Sequence, residues 1–462
     1  MPDTYRTLSL WHDLAAAAGD SFTPRAALGG STEADVVIVG AGYTGLWTAH
    51  ALLQRAPALR VVVVEREIAG FGASGRNGGW ASGTFPTPWK RIARDASRDA
   101  VRRLQSALND TIDVIGEVAA QEDIDCHFSK GGSLSVARNQ AQWTRAKAEV
   151  ANAREWGFDD SFLQLLDADE TVERVGMSNA LGATYTPHCA ALQPAVLSRG
   201  LADAVERQGA TIYEQTPVTS VEPGIVRTPF GDIRAEVVVR ATEGYTPDLP
   251  GMARDLVPMY SLMVATEPLP DEVLQAIGLD ERATFTDKRH LRIYGQRTRD
   301  GRLAFGGRGA PYHYGSKIDP AFDHDLRVHQ MLRDILIDLF PVLREVGFSH
   351  AWGGNLGVAR DWYPSVGFDR RTGSAWAGGY VGNGVTTACL AGLTLGDLIT
   401  DTDSDLVTLP WVGHRSRRWE PEPLRWSGVN AVTQLMARGD RTEASSGKPS
   451  AAVTQFWKTL GA

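Results

Sequence analysis

Three glycines and one glutamate near the N-terminus have the spacing of a dinucleotide-binding motif. Gly40, Gly42 and Gly45 form a GxGxxG pattern, and Glu65 lies 20 residues after the last glycine. In such a motif the first glycine permits a tight turn, the second lets the backbone approach a pyrophosphate, and the third lets a helix pack closely on a strand. Glu65 would accept hydrogen bonds from a ribose. The pattern predicts an ADP-containing cofactor and does not choose between FAD and NAD.

Two further glycine-rich segments favour FAD over NAD as the cofactor. Residues 72–79 (GASGRNGG) offer small residues, backbone amides, an arginine and an asparagine in one loop. Residues 378–385 (GGYVGNGV) lead into a helix predicted over 386–398, and a glycine-rich turn at a helix N-terminus is a site for negative charge. The dipole of that helix would stabilise the charge that develops at the N1–C2=O edge of a reduced flavin.

The segments on either side of GxGxxG provide the context that this motif requires. Residues 35–39 predict a buried strand, 43–56 a helix and 60–64 the next strand, which together make one βαβ unit. Residues 70–88 are rich in glycine, serine, asparagine and proline and are expected to form a loop. Residues 89–122 predict one long helix.

After residue 256 the pattern changes to strands and turns, which predicts a largely antiparallel sheet. The predicted fold class is therefore α/β, with a Rossmann-like FAD-binding domain and a second, α+β substrate domain, both discontinuous in sequence. Residues 401–462 are expected to wrap the core or contact another subunit, with one helix over 428–438. The expected boundaries are 33–90, 190–255 and 352–400 for the FAD-binding domain, and 91–189 and 256–351 for the substrate domain.

The composition excludes several other classes of protein. The 462 residues include 47 basic and 55 acidic side chains, a net charge of -8 that disfavours nucleic acid as the main partner. The sequence has no run of about 18 apolar residues and no secretory signal pattern, so neither a membrane span nor export is predicted. The three cysteines form no CxxC pair, which predicts a cytoplasmic protein with reduced thiols and no metal site.

The three glycine-rich stretches, in this order, resemble those of the D-amino-acid oxidase superfamily of flavoproteins, and within it the γ-glutamylputrescine oxidase-like enzymes. The likeness extends from about residue 33 to about residue 400. Further stretches that carry it are 239–245 (VRATEGY), 301–307 (GRLAFGG), 352–354 (WGG) and 360–367 (RDWYPSVG).

The resemblance implies where FAD binds. The ADP half would lie on GxGxxG and Glu65, the pyrophosphate and flavin along residues 74–78, the adenine near Val218, and the flavin edge on residues 379–384. The residues expected to bind the cofactor are Gly40, Gly42, Tyr43, Thr44, Gly45, Glu65, Arg66, Gly72, Ala73, Ser74, Arg76, Asn77, Gly78, Gly79, Val218, Ala241, Thr242, Gly379, Gly382, Asn383, Gly384, Val385 and Thr386.

The resemblance also implies the chemistry. Such an enzyme takes a hydride from the carbon next to a primary or secondary amine and delivers it to flavin N5. The imine hydrolyses to a carbonyl compound, and oxygen reoxidises the flavin to give hydrogen peroxide. The amine must be neutral, which an apolar, aromatic-lined pocket would favour because burial disfavours the cation.

Candidate pocket residues come mainly from the antiparallel region. Arg292 and Tyr294 alternate with apolar neighbours and should share one face of a strand, where Arg292 would bind a substrate carboxylate bidentately. Lys288 is a further candidate, for assisting oxygen reduction. The residues expected to contact substrate are Tyr260, Arg292, Tyr294, Trp352 and Tyr380, with Arg308 and Tyr312 as additional wall residues.

Two other functions fit the same sequence. One is an FAD dehydrogenase of a D- or N-methyl amino acid that passes electrons to an acceptor other than oxygen. The other is a flavin-binding module acting in tRNA modification, which the absence of a long basic run disfavours. The identity of the amine, the covalent or non-covalent state of the flavin and the oligomeric state stay open.

Overall fold

The computed structural model describes residues 2–459, which form two eight-stranded sheets, one small two-stranded sheet and fourteen α-helices. The strands are β1 (Thr32–Val39), β2 (Val61–Val64), β3 (Trp80–Ser82), β4 (Ser133–Ala137), β5 (Gln164–Leu166), β6 (Gly182–Thr186), β7 (Cys189–Ala191), β8 (Thr211–Tyr213), β9 (Ser220–Glu222), β10 (Ile225–Thr228), β11 (Gly231–Arg240), β12 (Leu256–Thr266), β13 (Thr284–Asp287), β14 (Ile293–Arg297), β15 (Leu303–Gly307), β16 (Phe348–Ala359), β17 (Ser365–Asp369) and β18 (Ser374–Gly378). The α-helices are α1 (Pro2–Arg6), α2 (Leu10–Ala17), α3 (Tyr43–Arg55), α4 (Ala73–Arg76), α5 (Trp89–Asp95), α6 (Arg98–Gln121), α7 (Gln140–Glu155), α8 (Ala168–Arg174), α9 (Pro194–Arg207), α10 (Asp271–Ile277), α11 (Leu326–Leu339), α12 (Gly384–Thr400), α13 (Leu424–Ser446) and α14 (Ala451–Thr459). Short 3-10 helices cover Glu243–Asp248, Tyr314–Ser316, Pro320–Asp323, Pro341–Leu343 and Asp405–Thr408.

The first sheet has the strand order β17-β18-β11-β1-β2-β8, with β10 and β9 joined to β11 as an antiparallel extension. β1 lies parallel to both β2 and β11, so the predicted βαβ unit is present as β1, α3 and β2. Val37 and Ile38 at the centre of β1 are completely buried, as expected for a strand covered on both faces. The Rossmann-like domain expected from GxGxxG is confirmed.

The second sheet has the order β16-β12-β15-β14-β13-β4-β6-β5. Its neighbouring strands are antiparallel except for the parallel pair β4 and β13. The second, largely antiparallel domain is therefore confirmed. Its core lies between the sheet and α11, where Leu332, Leu336 and Phe340 are completely buried against Phe285 and Phe305.

The division of the chain between the two domains differs from the expected one in two places. β16 begins at Phe348 and pairs along its whole length with β12, so the expected boundary at residue 352 falls inside a strand of the second sheet. α6 lies within the expected substrate segment, yet its apolar face packs into the core of the first domain. Sequence periodicity shows that a helix has a buried face and does not show which sheet covers it.

Two local predictions were also wrong in detail. The helix expected over 89–122 is two helices, because Ser97 is extended and its hydroxyl caps α6 by accepting a hydrogen bond from the Ala100 N–H at 3.0 Å. The loop expected over 70–88 contains α4 and β3, and β3 pairs with β7. The small residues and high glycine content of this segment are typical of a loop, so the sequence pattern indicated neither short element.

The tail lies on the core of its own chain. The Trp419 indole N–H donates to the Val358 carbonyl at 2.8 Å, and Arg360 forms an ion pair with Glu420 at 2.8 Å. The helix expected over 428–438 lies inside the longer α13. The Gly413 N–H donates to the Val366 carbonyl of β17 at 2.8 Å, so the tail contacts both sheets.

The described part of the chain has no helix that is both long enough and apolar enough to cross a membrane. Cys126, Cys189 and Cys389 are all buried free thiols. Burial raises the pKa of Cys126 to about 11 and that of Cys189 to about 12, so both thiols are protonated at neutral pH.

We expect Gly45→Ala to disrupt the βαβ unit. A methyl group at this position would lie 1.9 Å from the Gly40 carbonyl oxygen and 3.1 Å from Ile38 Cγ2, so α3 would have to move away from β1. The free energy of unfolding should fall by about 3 kcal/mol or more, as for severe overpacking, and purified protein should lose bound flavin. Thermal unfolding and the ratio of flavin to protein absorbance measure both effects.

The matched control is Gly29→Ala, which adds the same methyl group where no described heavy atom lies within 4 Å. That variant should unfold at the temperature of the wild type. Equal behaviour of the two variants would contradict close packing at Gly45.

Candidate active site

A single cavity of about 1320 Å³ runs between the two sheets. It begins at the carboxyl ends of β1 and β2 and continues past the two other glycine-rich segments to β12 and β14. The expected cofactor-binding residues on its wall are Gly40, Gly42, Tyr43, Thr44, Glu65, Arg66, Gly72, Ala73, Ser74, Arg76, Asn77, Gly78, Val218, Ala241, Thr242, Gly382, Asn383, Gly384 and Val385. The other four, Gly45, Gly79, Gly379 and Thr386, lie behind the wall.

The GxGxxG turn brings the N-terminus of α3 to the cavity. Gly40 has φ of 108°, and a Cβ there would lie 2.7 Å from the Ala241 carbonyl oxygen. Gly42 caps α3 without a side-chain hydrogen bond, and a Cβ on it would lie 2.9 Å from Ser74 Oγ. The two positions therefore require glycine, and they bring the N-terminus of α3 to the cavity wall, where an anion is stabilised. The Tyr43 N–H in this turn donates to Ser74 Oγ at 2.8 Å.

Glu65 already accepts two hydrogen bonds within the protein. Its carboxylate accepts from the N–H groups of Ala41 at 2.9 Å and Glu67 at 3.0 Å. Burial raises the pKa of this carboxyl, and the two N–H groups oppose the shift. The side chain still lines the cavity, with oxygen lone pairs available for a ribose hydroxyl.

The loop over residues 72–79 is fixed by its own asparagine. The Asn77 amide N–H donates to the carbonyls of Ala73 at 3.1 Å and Ser74 at 3.0 Å, while its oxygen accepts from the Gly79 N–H at 2.7 Å. The Asn77 side chain thus orders the loop.

Three distant side chains hold the carbonyl groups of the same loop. The indole N–H of Trp352 donates to the Arg76 carbonyl at 2.9 Å, and that of Trp11 donates to the Asn77 carbonyl at 2.8 Å. The Gln296 amide donates to the Gly78 carbonyl at 2.8 Å. Trp352 was expected on the pocket wall. It lies instead behind the loop, where it is 1% exposed and packs edge-on against Trp11.

Arg76 is a buried cation beside the cavity. It pairs with Asp323 at 2.8 Å and lies over the Phe71 ring at 4.9 Å. Its Nε atom is buried and has no hydrogen-bond partner within the described chain. Buried donors nearly always have an acceptor, so we expect a group of the bound ligand to accept a hydrogen bond from this N–H.

The flavin-edge segment over 378–385 is organised by Glu243. The Glu243 carboxylate accepts from the N–H groups of Gly379 and Tyr380, both at 3.1 Å, and from that of Gly357 on β16. Burial raises the pKa of this carboxyl to about 7, against the effect of the three N–H donors. One side chain therefore joins the loop before α12 to the second sheet.

Tyr380 links the two ends of the cofactor site. Its hydroxyl shares a hydrogen bond of 2.9 Å with the Thr44 hydroxyl in the first turn of α3. It lines the cavity and is 3% exposed. Asn383 caps α12 without a side-chain hydrogen bond, so this second helix also opens its N-terminus on the cavity.

The opposite wall of the cavity is formed by β12, β14 and β16. Tyr294 packs directly on the loop over residues 72–79, here called the cofactor loop, because a Cβ on Gly78 would lie 2.7 Å from its ring. Its hydroxyl shares a 2.8 Å hydrogen bond with Ser261. The Tyr260 hydroxyl bonds to the backbone of Asp319, accepting at 3.1 Å from the N–H. Both tyrosines line the cavity, and burial raises the pKa of each.

Arg292 and Arg308 also line this end of the cavity. Arg308 donates to the Val381 carbonyl and lies over the Trp362 ring at 5.6 Å. Burial, and then the charge of Arg292, lower the pKa of Arg308 to about 10, so Arg308 remains cationic at neutral pH. Tyr312 and Lys288, in contrast, lie away from the wall: Tyr312 is 1% exposed in a separate core, and Lys288 pairs with Glu149.

The residues present fit FAD. The N-termini of α3 and α12, whose N-cap residues form no side-chain hydrogen bond, reach the cavity, where the pyrophosphate and the electron-rich flavin edge would need positive potential. Both polar atoms of the Asn355 amide are buried on the wall without a hydrogen-bond partner in the described chain. Within the described residues no cysteine lines the cavity, so the geometry provides no thiol to bind a flavin covalently.

Sequence reasoning missed Trp11, Gln296, Glu243 and Asn355. Glu243 lies in the stretch 239–245 that carries the family resemblance, and an acidic residue three positions after the end of a buried strand was the available signal. Trp11 is 66 residues and Gln296 is 218 residues along the chain from the residues whose carbonyls they bind. A local sequence pattern does not predict contacts over such separations.

Glu243→Ala should loosen the flavin-edge segment. The substitution leaves three N–H groups without their acceptor, at about 1 to 3 kcal/mol for each one that stays buried. We expect the free energy of unfolding to fall by about 3 kcal/mol and FAD to dissociate more readily, as measured by denaturant unfolding and by flavin retained after dialysis. Glu243→Gln keeps one acceptor oxygen and should show an intermediate loss.

The control is Glu236→Gln, a substitution at an exposed position on β11. It should leave stability and flavin content unchanged. Flavin retention in Glu243→Ala equal to that of this control would contradict the role of Glu243.

The comparisons with known proteins agree with this geometry. The model of the DAO family, FAD-dependent oxidoreductases, matches residues 35–398. The chain is 30% identical over 414 residues to γ-glutamylputrescine oxidoreductase of Escherichia coli, covering 87% of this chain and 93% of the relative. It is also 30% identical to a probable oxidoreductase of Rhizobium meliloti, over 82% of this chain and 85% of that one.

Solved structures share the fold at lower identity. Glycine oxidase from Geobacillus kaustophilus superposes with a TM-score of 0.69 at 21% identity, over 83% of this chain and 99% of that one. An L-amino acid deaminase from Proteus myxofaciens superposes with a TM-score of 0.66 at 15% identity, over 84% and 96%. The resemblance seen in the glycine-rich motifs is confirmed. The chain belongs to the DAO family of FAD-dependent oxidoreductases, and FAD is its cofactor.

Proposed function

We propose that this enzyme oxidises an amine that carries a carboxylate group, at the carbon next to nitrogen, with oxygen as the electron acceptor. The products are a carbonyl compound, the released amine or ammonia, and hydrogen peroxide. The observation that carries the proposal is the pair Arg292 and Arg308, which face the cavity without a carboxylate partner in the described chain.

The other arginines on the cavity wall have acidic partners. Their ion pairs are Arg66–Asp248, Arg76–Asp323, Arg91–Asp361, Arg94–Asp95, Arg289–Asp287, Arg360–Glu420 and Arg425–Glu422. The charge of Arg292 lowers the pKa of Arg308, because the two like charges lie close together. A bound carboxylate would relieve this repulsion and could be held bidentately.

The same end of the cavity favours a neutral amine. Tyr260, Tyr294, Met259 and Leu356 present aromatic and apolar surface there. The acidic residues on the wall already have donors: Glu243 holds three N–H groups, and the others form the ion pairs above or, for Glu65, accept two backbone N–H groups. An ammonium group would therefore be desolvated without a partner, which lowers its pKa.

FAD, when bound, supplies the two-electron acceptor for the amine's C–H bond. The residues of this chain orient the reaction: the arginines fix the carboxylate, the tyrosines fill the space beside the cofactor loop, and the first turn of α12 provides positive potential. The names of the relatives support an amine substrate, since glycine, amino acids and γ-glutamylputrescine all carry an amino and a carboxyl group.

The visible spectrum of the purified protein, before and after anaerobic mixing with amines, tests this function. The panel contains glycine, sarcosine, D- and L-amino acids, γ-glutamylputrescine and, without a carboxylate, simple polyamines. We expect a yellow protein that a carboxylate-bearing amine bleaches and that air recolours with release of peroxide. Bleaching without peroxide would favour the dehydrogenase alternative, and a yellow protein that no amine bleaches would overturn the proposal and leave the flavin-binding module.

Arg292→Met should weaken binding of the carboxylate selectively. The variant keeps an unbranched side chain and removes the charge, and a charged hydrogen bond contributes about 1.5 to 3 kcal/mol. We expect kcat/KM for a carboxylate-bearing amine to fall about 10-fold to 100-fold, mainly through KM, with the flavin content unchanged. Steady-state peroxide assays measure this ratio.

Arg344→Met removes an exposed arginine outside the cavity and is the matched control. It should leave KM unchanged. A similar KM in both variants would show that Arg292 does not bind the carboxylate. The cytoplasmic location predicted from the cysteine content stays a prediction.

A further inference from the structure

We propose that α13 and α14, here called the C-terminal helix pair, bind the part of the substrate distal to its carboxylate and select an apolar chain over a charged one. This inference rests on the proposed function. It assigns a specificity role to a segment that lies wholly beyond residue 398, where the match to the family model ends.

One face of α13 lines the cavity. The wall residues recur at alternating intervals of one and three positions, which places them on a single face of a helix. They extend over about 18 Å at 1.5 Å per residue. These residues are Leu424, Arg425, Gly428, Val429, Val432, Thr433 and Met436. From α14, Phe456 and Trp457 complete this wall, with their rings 5.3 Å apart.

The position of α13 places this face at the substrate end of the cavity. Near its C-terminal half, the Asp440 carboxylate accepts from the backbone N–H groups of His290 at 2.6 Å and Leu291 at 2.9 Å. These two residues directly precede Arg292. Nearer its start, Val429 packs against the cluster that contains Val381 of the flavin-edge segment. The helix therefore spans from the flavin edge to the arginine that would bind the carboxylate.

The helix pair is firmly attached to the second sheet. The Glu443 carboxylate accepts two hydrogen bonds from Arg145, at 3.0 and 2.6 Å, one from His290 at 2.9 Å, and one from the Ser450 N–H at the start of α14 at 3.0 Å. The Asn430 side chain bonds to both backbone groups of Tyr312. A wall fixed in this way can discriminate between ligands by shape and polarity.

The chemistry of the wall favours an apolar chain. Its one charged side chain, Arg425, is already satisfied by Glu422 and the Ala253 carbonyl. The described helix pair offers no carboxylate to the cavity. A second ammonium group on the substrate would therefore lose its water without gaining a partner. Each methylene group buried against Val432 and Met436 should instead strengthen binding about fourfold.

Straight-chain carboxylates that lack an α-amino group test this wall without turnover. The probes are butyrate, pentanoate and hexanoate, with 6-aminohexanoate as the charged equivalent of hexanoate. Binding to the holoenzyme is measured as the change in the visible flavin spectrum. In the wild type we expect Kd to fall about fourfold per methylene from butyrate to hexanoate, and 6-aminohexanoate to bind at least tenfold more weakly than hexanoate.

Val432→Asp places a carboxylate on the wall. It should reduce the preference for hexanoate over 6-aminohexanoate at least tenfold. Ala431→Asp is the matched control, because it adds the same charge one residue earlier, at an exposed position of α13; its preference should stay within twofold of the wild type. Val432→Thr, nearly isosteric with the native residue, should shift the preference in the same direction by a smaller factor if Val432→Asp fails to bind flavin.

The outcomes separate this inference from the proposed function. Equal binding of hexanoate and 6-aminohexanoate to the wild type, or equal effects of the Val432 and Ala431 substitutions, would overturn the role of the helix pair. No binding of any carboxylate would contradict the arginine site of the proposed function, and the helix pair with it. The expected pattern of Kd values in a protein that oxidises no amine would support the wall and contradict the amine oxidase.

Discussion

One carboxylate connects the parts of this molecule that must meet at the flavin. Glu243 accepts hydrogen bonds from Gly379 and Tyr380 in the loop before α12, and from Gly357 in the second sheet. The loop orients the N-terminus of α12, and β16 carries the wall that faces it. Because three donors from two domains converge on one side chain, a local hydrogen-bond network fixes the distance between the cofactor edge and the substrate wall. The other features of the active site depend on that distance.

The cofactor loop shows the same principle at the other side of the cavity. Its carbonyl groups are held by Trp11 from α2, Trp352 from β16 and Gln296 from β14. Three elements far apart in sequence therefore determine one short segment. A loop held through its carbonyls on one side can present its N–H groups and small residues to a ligand on the other.

The sequence was sufficient to predict the parts of the fold that local chemistry determines. The GxGxxG pattern, with a strand before it and Glu65 after the next strand, is compatible with few folds other than a dinucleotide-binding βαβ unit. The structure shows why glycine is needed there: a Cβ on Gly40 or Gly45 would collide with a backbone oxygen. The antiparallel second sheet followed from its strand pattern. The glycine-rich turn was also predicted to lead into a helix, and α12 begins at Gly384; the anion site at this turn stays a prediction.

The remaining features depend on contacts that no local pattern encodes. Trp352 was expected on the pocket wall because aromatic residues on strands often line pockets, yet strand periodicity defines two faces without naming the one that meets the cavity. The domain boundary at 352 failed for a related reason, since β16 is assigned to the second sheet by pairing with β12. α13 was recognised only in part, and its role needed the structure, because an amphipathic pattern shows that a face is covered and not what covers it.

We propose that a carboxylate-bearing amine lies between the cofactor and the Arg292–Arg308 pair, under the C-terminal helix pair. A crystal structure of the holoenzyme with bound hexanoate would show this position. We expect carboxylate oxygens within hydrogen-bonding distance of a guanidinium of Arg292 or Arg308, with the hydrocarbon chain against Val432 and Met436. A carboxylate bound elsewhere in the cavity, with both arginines facing solvent, would show that the substrate does not bind in this way.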